Sequence, residues 1–377
     1  MLAIVNCCIY TGDEVVFDQA VVVDQGYIFD LVARDEVDPA WPVIDLKYLN
    51  IVPGFIDLQV NGGNGILFND HPTVDALQKI VQGHAKFGTT DILPAFITGD
   101  ISKMKQAVEA VGYCLKNNIE GILGIHFEGP FIAPEMAGVH DPKYILGFDE
   151  SVARIMTSLK NGYTLITVAP ERLTRDQLIK LKGPGIKLAA GHSQADSVQM
   201  KEAFNSGVTC VTHLFNAMSQ MQQRSPGVVG YILAKDNGWA SIIADGHHVD
   251  FVNVRAAWKA KPGKLFLISD AMPPVGGLID RFTIGPHTIY CNEGKCVTRD
   301  NILGGSGLEL ATAVRNCIQK VGIGKPEAFR MASTYPAQFL GVQDLGFIKP
   351  GYKANMTVCD DEIRVAGFFR NGIYYEV

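Results

Sequence analysis

The sequence predicts an α/β fold, a closed (β/α)8 barrel of TIM type with a small β-sandwich domain made from the two chain ends. Three observations carry this. Eight short apolar runs recur through the middle of the chain, each bounded by Gly, Pro or polar residues. Their starts lie about 30 residues apart, the length of a strand-plus-helix unit. The stretches between them carry apolar residues at helical spacing, whereas the two ends alternate and turn sharply.

The runs are Ile51–Val60, Thr90–Ile97, Gly121–Glu128, Tyr163–Ala169, Ile186–Gly191, Val208–His213, Trp239–Ala244 and Lys264–Asp270. Continuous apolar strands belong to a parallel sheet covered on both faces. Helical spacing follows in Thr73–Phe87, Ile101–Lys116 and Gln194–Asn205. Strands alternating with helices make βαβ units, and eight such units close a barrel. Residues 1–50 hold short strands and turns, and residues 342–377 do likewise, with an Asn371-Gly372 hairpin signal. Neither end can bury a core alone, so the two are expected to form one small β domain beside a barrel spanning 51–341. Phe282–Val297 alternates and reads as a hairpin inserted after strand eight.

At 377 residues the chain suits a large barrel with an attachment. A formal charge of −6 leaves no basic footprint for nucleic acid. No apolar run approaches the roughly 20 residues of a membrane helix. The start MLAIVNCCIYTGDE has no basic region ahead of its apolar residues, so it does not read as a signal peptide. The eight cysteines are scattered with no C-x-x-C pair, which removes a zinc ribbon and reads as small buried apolar residues in a reducing, cytoplasmic setting.

In a barrel of this kind chemistry sits at the C-terminal ends of the strands. Strand one ends at Gln59 and Asn61, strand three at Glu128, strand five at His192, strand six at His213, and strand eight at Asp270; strand seven leads to His247 and His248. Singly each reads as a turn cap or a hydrogen-bonded structural residue. Together, on apolar stems at one end of the barrel, they read as a site. Glu128, His192 and His213 suit one borderline divalent ion, Zn²⁺ first and Fe²⁺, Co²⁺ or Ni²⁺ as alternatives, with a position left for water. Asp270 is then a free carboxylate facing that water, placed to act as general base and acid. Gln59 and Asn61 stand where many metal hydrolases carry two histidines. They are weak neutral ligands, so a second ion is not expected, and Gln59 is placed near the bound water. His126 and Asp57 read as interior hydrogen-bonding residues. Arg224, in NAMSQMQQRSPG, is a candidate anion binder, and the glycines Gly304 and Gly305 could let backbone approach a ligand.

The motifs PGFIDLQVNG, GIHFEGPF, AGHS, THLFNAM, IIADGHHVD, ISDAM and LGFIKPGYKAN together resemble the amidohydrolase superfamily, and within it the N-acetylglucosamine-6-phosphate deacetylases, over nearly the whole chain. The resemblance implies hydrolysis of the acetamide of N-acetylglucosamine 6-phosphate to glucosamine 6-phosphate and acetate. It implies metal ligation by Glu128, His192 and His213, acid/base duty for Asp270, and a hydrogen bond from His140 to the scissile carbonyl. It implies that His248 and Arg224 meet the phosphate with Asn216 and Ala217 close by, that Val139, Leu303, Gly304 and Gly305 line the sugar pocket, and that Arg224 reaches across from a neighbouring subunit of a homodimer. The alternatives are a deacetylase of the galacto epimer, another amidohydrolase, and a catalytically dead barrel. Retention of all three ligands and of Asp270 argues against the last.

Overall fold

The computed structural model describes all 377 residues. Eight parallel strands form the barrel wall: Phe55–Val60, Thr89–Ile97, Gly124–Glu128, Tyr163–Val168, Ile186–Ala190, Val208–Val211, Trp239–Ile242 and Leu265–Leu267, each paired to its sequence neighbour. Nearly every residue of these strands is buried, as a sheet covered on both faces requires. Strand eight is three residues long, so strands one and eight meet only at their C-terminal ends. A parallel bridge joins Val60 to Ala271 there, and Asp270 N–H donates to Gln59 O at 3.1 Å. The seam of the barrel thus falls on the residues that end the first and last strands.

The outer helices start where side chains cap them. Thr73 accepts from Ala76 N–H ahead of Val74–Ala85, Asp100 caps Ile101–Lys116, and Asp196 with Gln199 forms a capping box ahead of Ser197–Asn205. That box explains why the third helix begins three residues later than its apolar spacing implies. One cluster of 75 buried residues fills the barrel and its helix layer, against 13 in the main cluster of the end domain. The barrel therefore carries most of the hydrophobic stabilisation.

The small β domain, expected as a sandwich, is hydrogen-bonded as one continuous eight-stranded sheet containing Leu2–Tyr10, Val43–Pro53 and the C-terminal Met356–Cys359, Val365–Arg370 and Ile373–Glu376. Val43–Pro53 is its hinge to the barrel: it pairs with Met356–Cys359 on one side and runs straight into strand one. The expected hairpin is larger than its alternation suggests. It is a four-stranded antiparallel sheet of Arg281–Ile284, His287–Asn292, Lys295–Val297 and Leu303–Ser306. A two-residue turn, with Glu293 and Gly294 both at positive φ, places Cys291 opposite Cys296, and these two are disulfide-bonded. That corrects the reading of all eight cysteines as unpaired; the other six are free. No helix is long and apolar enough to cross a membrane.

Candidate active site and metal centre

Strands three, five and six deliver Glu128, His192 and His213 to one point. The Nε2 atoms of His192 and His213 lie 3.0 and 2.9 Å from the same Glu128 Oε1, and 3.1 Å from each other. All three residues are at most 5 % exposed. Burial favours a neutral Glu128, but the two imidazoles against it hold its carboxyl well below the usual range. His213 is likewise opposed by burial and held up by Glu128. His192 Nδ1 lies 2.6 Å from Met136 O, a carbonyl that can only accept, so Nδ1 carries a proton and Nε2 is the nitrogen turned to the cluster. Two ring nitrogens and a carboxylate oxygen converging on one buried point are a donor set that fits a divalent metal ion.

His140 also offers a ring nitrogen within 4.8 Å of Glu128 and His192 ligand atoms. Its Nδ1 is engaged with Thr98 Oγ1 at 3.1 Å, and His213 is the nearer third ligand. Burial, reinforced by His192, drives the His140 pKa down to about 3, so it stands neutral beside the cluster.

Asp270 sits on the barrel seam. Its Oδ1 accepts from Asn61 Nδ2 at 2.7 Å and Gln59 Nε2 at 3.0 Å. Gln59, expected from the sequence near a bound water, holds the carboxylate through Nε2, and its own Oε1 has no protein partner. Burial, with Glu128 adding to it, raises the Asp270 pKa to about 6. His192, His213 and Asp270 all adopt positive φ, at 48°, 35° and 53°. Non-glycine residues held there cost on the order of 1 kcal/mol each and collect at functional sites. For Asp270 the surroundings enforce it: its N–H donates to Gln59 O and its carbonyl accepts from Ser306 N–H at 2.9 Å.

Asn61, Glu128, His192, His213 and Asp270 face a cavity of about 300 Å³. His140, Val139, Asn216, Ala217, His248, Leu303 and Gly305 line it with them. Gly304 does not; the space a Cβ would take there is closed by Ile289 and Val139. Arg224 also stays outside, on the exposed loop 220–226. His126 and Asp57 are interior. His126 Nε2 is 2.8 Å from Thr167 Oγ1, and Asp57 accepts from the N–H groups of Gln59 and Ser269. Sequence reading missed Ile97, Glu135, Met136, Ile243, Met272 and Ile302 in the cavity wall. Met136 acts through its carbonyl, which no side-chain pattern reports, and the apolar ones look like any core residue. It also passed over Asp245, whose signal was its place in ADGHHVD.

A barrel whose strand ends gather a carboxylate and two imidazoles, with a free aspartate beside them, defines the class of metal-dependent hydrolases. Residues 50–373 match the amidohydrolase family model, and residues 1–51 match the NagA composite domain. A curated N-acetylglucosamine-6-phosphate deacetylase of Haemophilus influenzae is 35% identical over 99% of both chains. A curated N-acetylgalactosamine-6-phosphate deacetylase of a Shewanella strain is 36% identical over 92% of this chain and 89% of its own. The crystal structure of N-acetylglucosamine-6-phosphate deacetylase from Pasteurella multocida superposes with a TM-score of 0.97 at 36% identity, covering both chains completely. The chain belongs to the amidohydrolase family and, within it, to the N-acetylglucosamine-6-phosphate deacetylases.

Proposed function

We propose that this protein hydrolyses the acetamide of N-acetylglucosamine 6-phosphate, giving glucosamine 6-phosphate and acetate, in amino-sugar breakdown and recycling in the cytoplasm. The observation that carries the proposal is the convergence of Glu128, His192 and His213 next to Asp270 at the floor of a sugar-sized cavity. A Mycobacterium smegmatis relative, 25% identical with a TM-score of 0.89, has a structure in complex with N-acetyl-D-glucosamine 6-phosphate.

Glu128, His192 and His213 would hold one divalent ion, Zn²⁺ by donor preference. When bound, such an ion lowers the pKa of a coordinated water and polarises the amide carbonyl. Asp270 takes the attacking water's proton and returns it to the departing amine nitrogen, which an amide needs because its anion is a poor leaving group. Asn61 and Gln59 fix the carboxylate for both transfers. His140 stays neutral; with Thr98 donating to Nδ1, its Nε2–H is free to stabilise the developing oxyanion. Val139, Leu303 and the backbone at Gly305 position the sugar, while His248, Asn216 and Ala217 meet the phosphate end. Arg224, which does not line its own cavity, completes the phosphate site of a neighbouring subunit in a homodimer. Remote phosphate binding then orients the amide.

The galacto epimer is the second reading, favoured by the Shewanella relative. Acetate release from the 6-phosphates of both N-acetylhexosamines, and from the unphosphorylated sugars, tests both readings. The gluco 6-phosphate should give the highest kcat/KM. Equal turnover of plain and phosphorylated sugars would remove the phosphate from the proposal.

A further inference from the structure

Strand seven ends in a turn that carries Asp245 and His248. Asp245 Oδ1 accepts the N–H groups of His247 and His248, both at 2.8 Å, and its Oδ2 lies 2.6 Å from His248 Nδ1. The two side chains are 4 % and 6 % exposed, and His248 borders the catalytic cavity. We infer that Asp245 is a positioning residue that fixes His248 as a charged double donor for the substrate's phosphate. This rests on the reading of the substrate as a sugar 6-phosphate.

An ionised carboxylate only accepts, so the hydrogen bond at 2.6 Å requires a proton on Nδ1. Nε2 is then the nitrogen left for a ligand, and it makes no hydrogen bond within the protein. A phosphate dianion also only accepts, so contact at Nε2 requires a second proton. A ring that donates at both nitrogens is an imidazolium, and Asp245 is its counter-ion. The ionised state of Asp245 agrees with this: burial opposes it, yet the hydrogen bond and charge of His248 hold its carboxyl below the usual range. A turn cap alone would need only Oδ1. The orientation of Oδ2 toward the ring is the additional feature, and it is buried where an unpaired charge would be costly.

Asp245→Asn separates the two roles. The carboxamide oxygen can still cap the turn, but its NH₂ faces Nδ1 and the ring can donate at Nε2 while uncharged. The test is a double-mutant cycle of wild type, Asp245→Asn, His248→Gln and the double variant, assayed on the 6-phosphate and on the plain N-acetyl sugar. Each single change should raise KM for the phosphorylated sugar by roughly 10- to 100-fold, with kcat within a few-fold and a far smaller change in KM for the plain sugar. In the His248→Gln background, Asp245→Asn should add nothing further. Three results overturn the inference alone: an inert Asp245→Asn where His248→Gln is effective, an undiminished Asp245→Asn effect in the double variant, or loss of kcat on both sugars with a lowered Tm, because a structural cap does that. His248→Gln leaving the preference for the phosphorylated sugar intact would overturn the phosphate reading beneath it.

Discussion

At the scale of single residues, the two positions that depart from a histidine pair at strand one gain a purpose. Asn61 and Gln59 donate to Asp270 Oδ1, so the absence of two imidazoles is matched by two hydrogen bonds to the carboxylate proposed as the acid/base. Asp270→Asn should keep the fold and the metal, and lower kcat by about 10²–10⁴-fold. Turnover near wild type in a purified variant with full metal content would remove Asp270 from the reaction. A buried residue remote from the chemistry sets a pH limit. His84 Nε2 lies 2.9 Å from Gly62 O, which makes it a donor there, and burial drives its pKa down from 6.5 to about 4. The folded state therefore refuses a proton that the unfolded chain accepts between those values. Stability is intact above pH 6.5 and is lost as pH falls toward 4, by about 2 kcal/mol between pH 7 and 5 from this group. His84→Gln keeps a donor toward Gly62. Urea unfolding at pH 7 and pH 5 should show a smaller loss in the variant than in wild type; identical losses would acquit His84.

Elements show where sequence reading succeeds and where it stops. The barrel strands were legible because parallel strands buried on both faces leave continuous apolar runs, and the strand-end residues stood out as polar groups on those stems. Glu128, His192 and His213 could therefore be found without coordinates. Three things could not. The barrel seam closes through backbone bonds at Asp270 and Gln59, and backbone bonds carry no residue signature. Strand eight's brevity is invisible because Lys264–Asp270 stays apolar past Leu267, where regular pairing ends. The inserted sheet looked like a hairpin because its last strand, Leu303–Ser306, is glycine-rich and has almost no alternation. That strand is nonetheless tied to the site: Ser306 N–H donates to Asp270 O and Met272 N–H to Ser306 O, both at 2.9 Å. Gly305 lies within it at φ 69°, and a Cβ there would sit 2.3 Å from Met272 Cε and 2.9 Å from Asp270 O. The methionine can swing away; the backbone oxygen cannot. Gly305→Ala should displace Asp270 and lower kcat on the order of 100-fold, the cost of a misplacement near 1 Å, while the protein stays folded. Wild-type kcat in this variant would show that the inserted sheet does not set the position of Asp270.

The whole molecule is organised so that one ion, when held, ties strands three, five and six at one end of the barrel. Binding to the folded state alone adds RT ln(1 + [L]/Kd), about 2.7 kcal/mol at a hundredfold excess over Kd. Chelation should therefore lower Tm by several degrees, and one equivalent of Zn²⁺ should restore it. With strand one offering only carboxamides, a second equivalent should move neither Tm nor activity; activity tracking the second equivalent would contradict a single-ion site. The remaining question of assembly turns on Arg224. It lies on the exposed loop 220–226 beside Met221, which is 62 % exposed, and its own cavity does not include it. An arginine that serves a neighbour and an aspartate that serves its own site can complement each other. In a mixed dimer of Arg224→Ala and Asp270→Asn chains, the first chain keeps its Asp270 and receives Arg224 from the second, so one intact site forms. Random pairing makes half the dimers mixed, each with one working site of two. Co-expressed variants, assayed well below KM for the phosphorylated sugar, should thus regain about a quarter of wild-type activity. If Arg224 served its own subunit, every site in the mixture would lack one of the two residues, and activity would stay at the level of the separate variants.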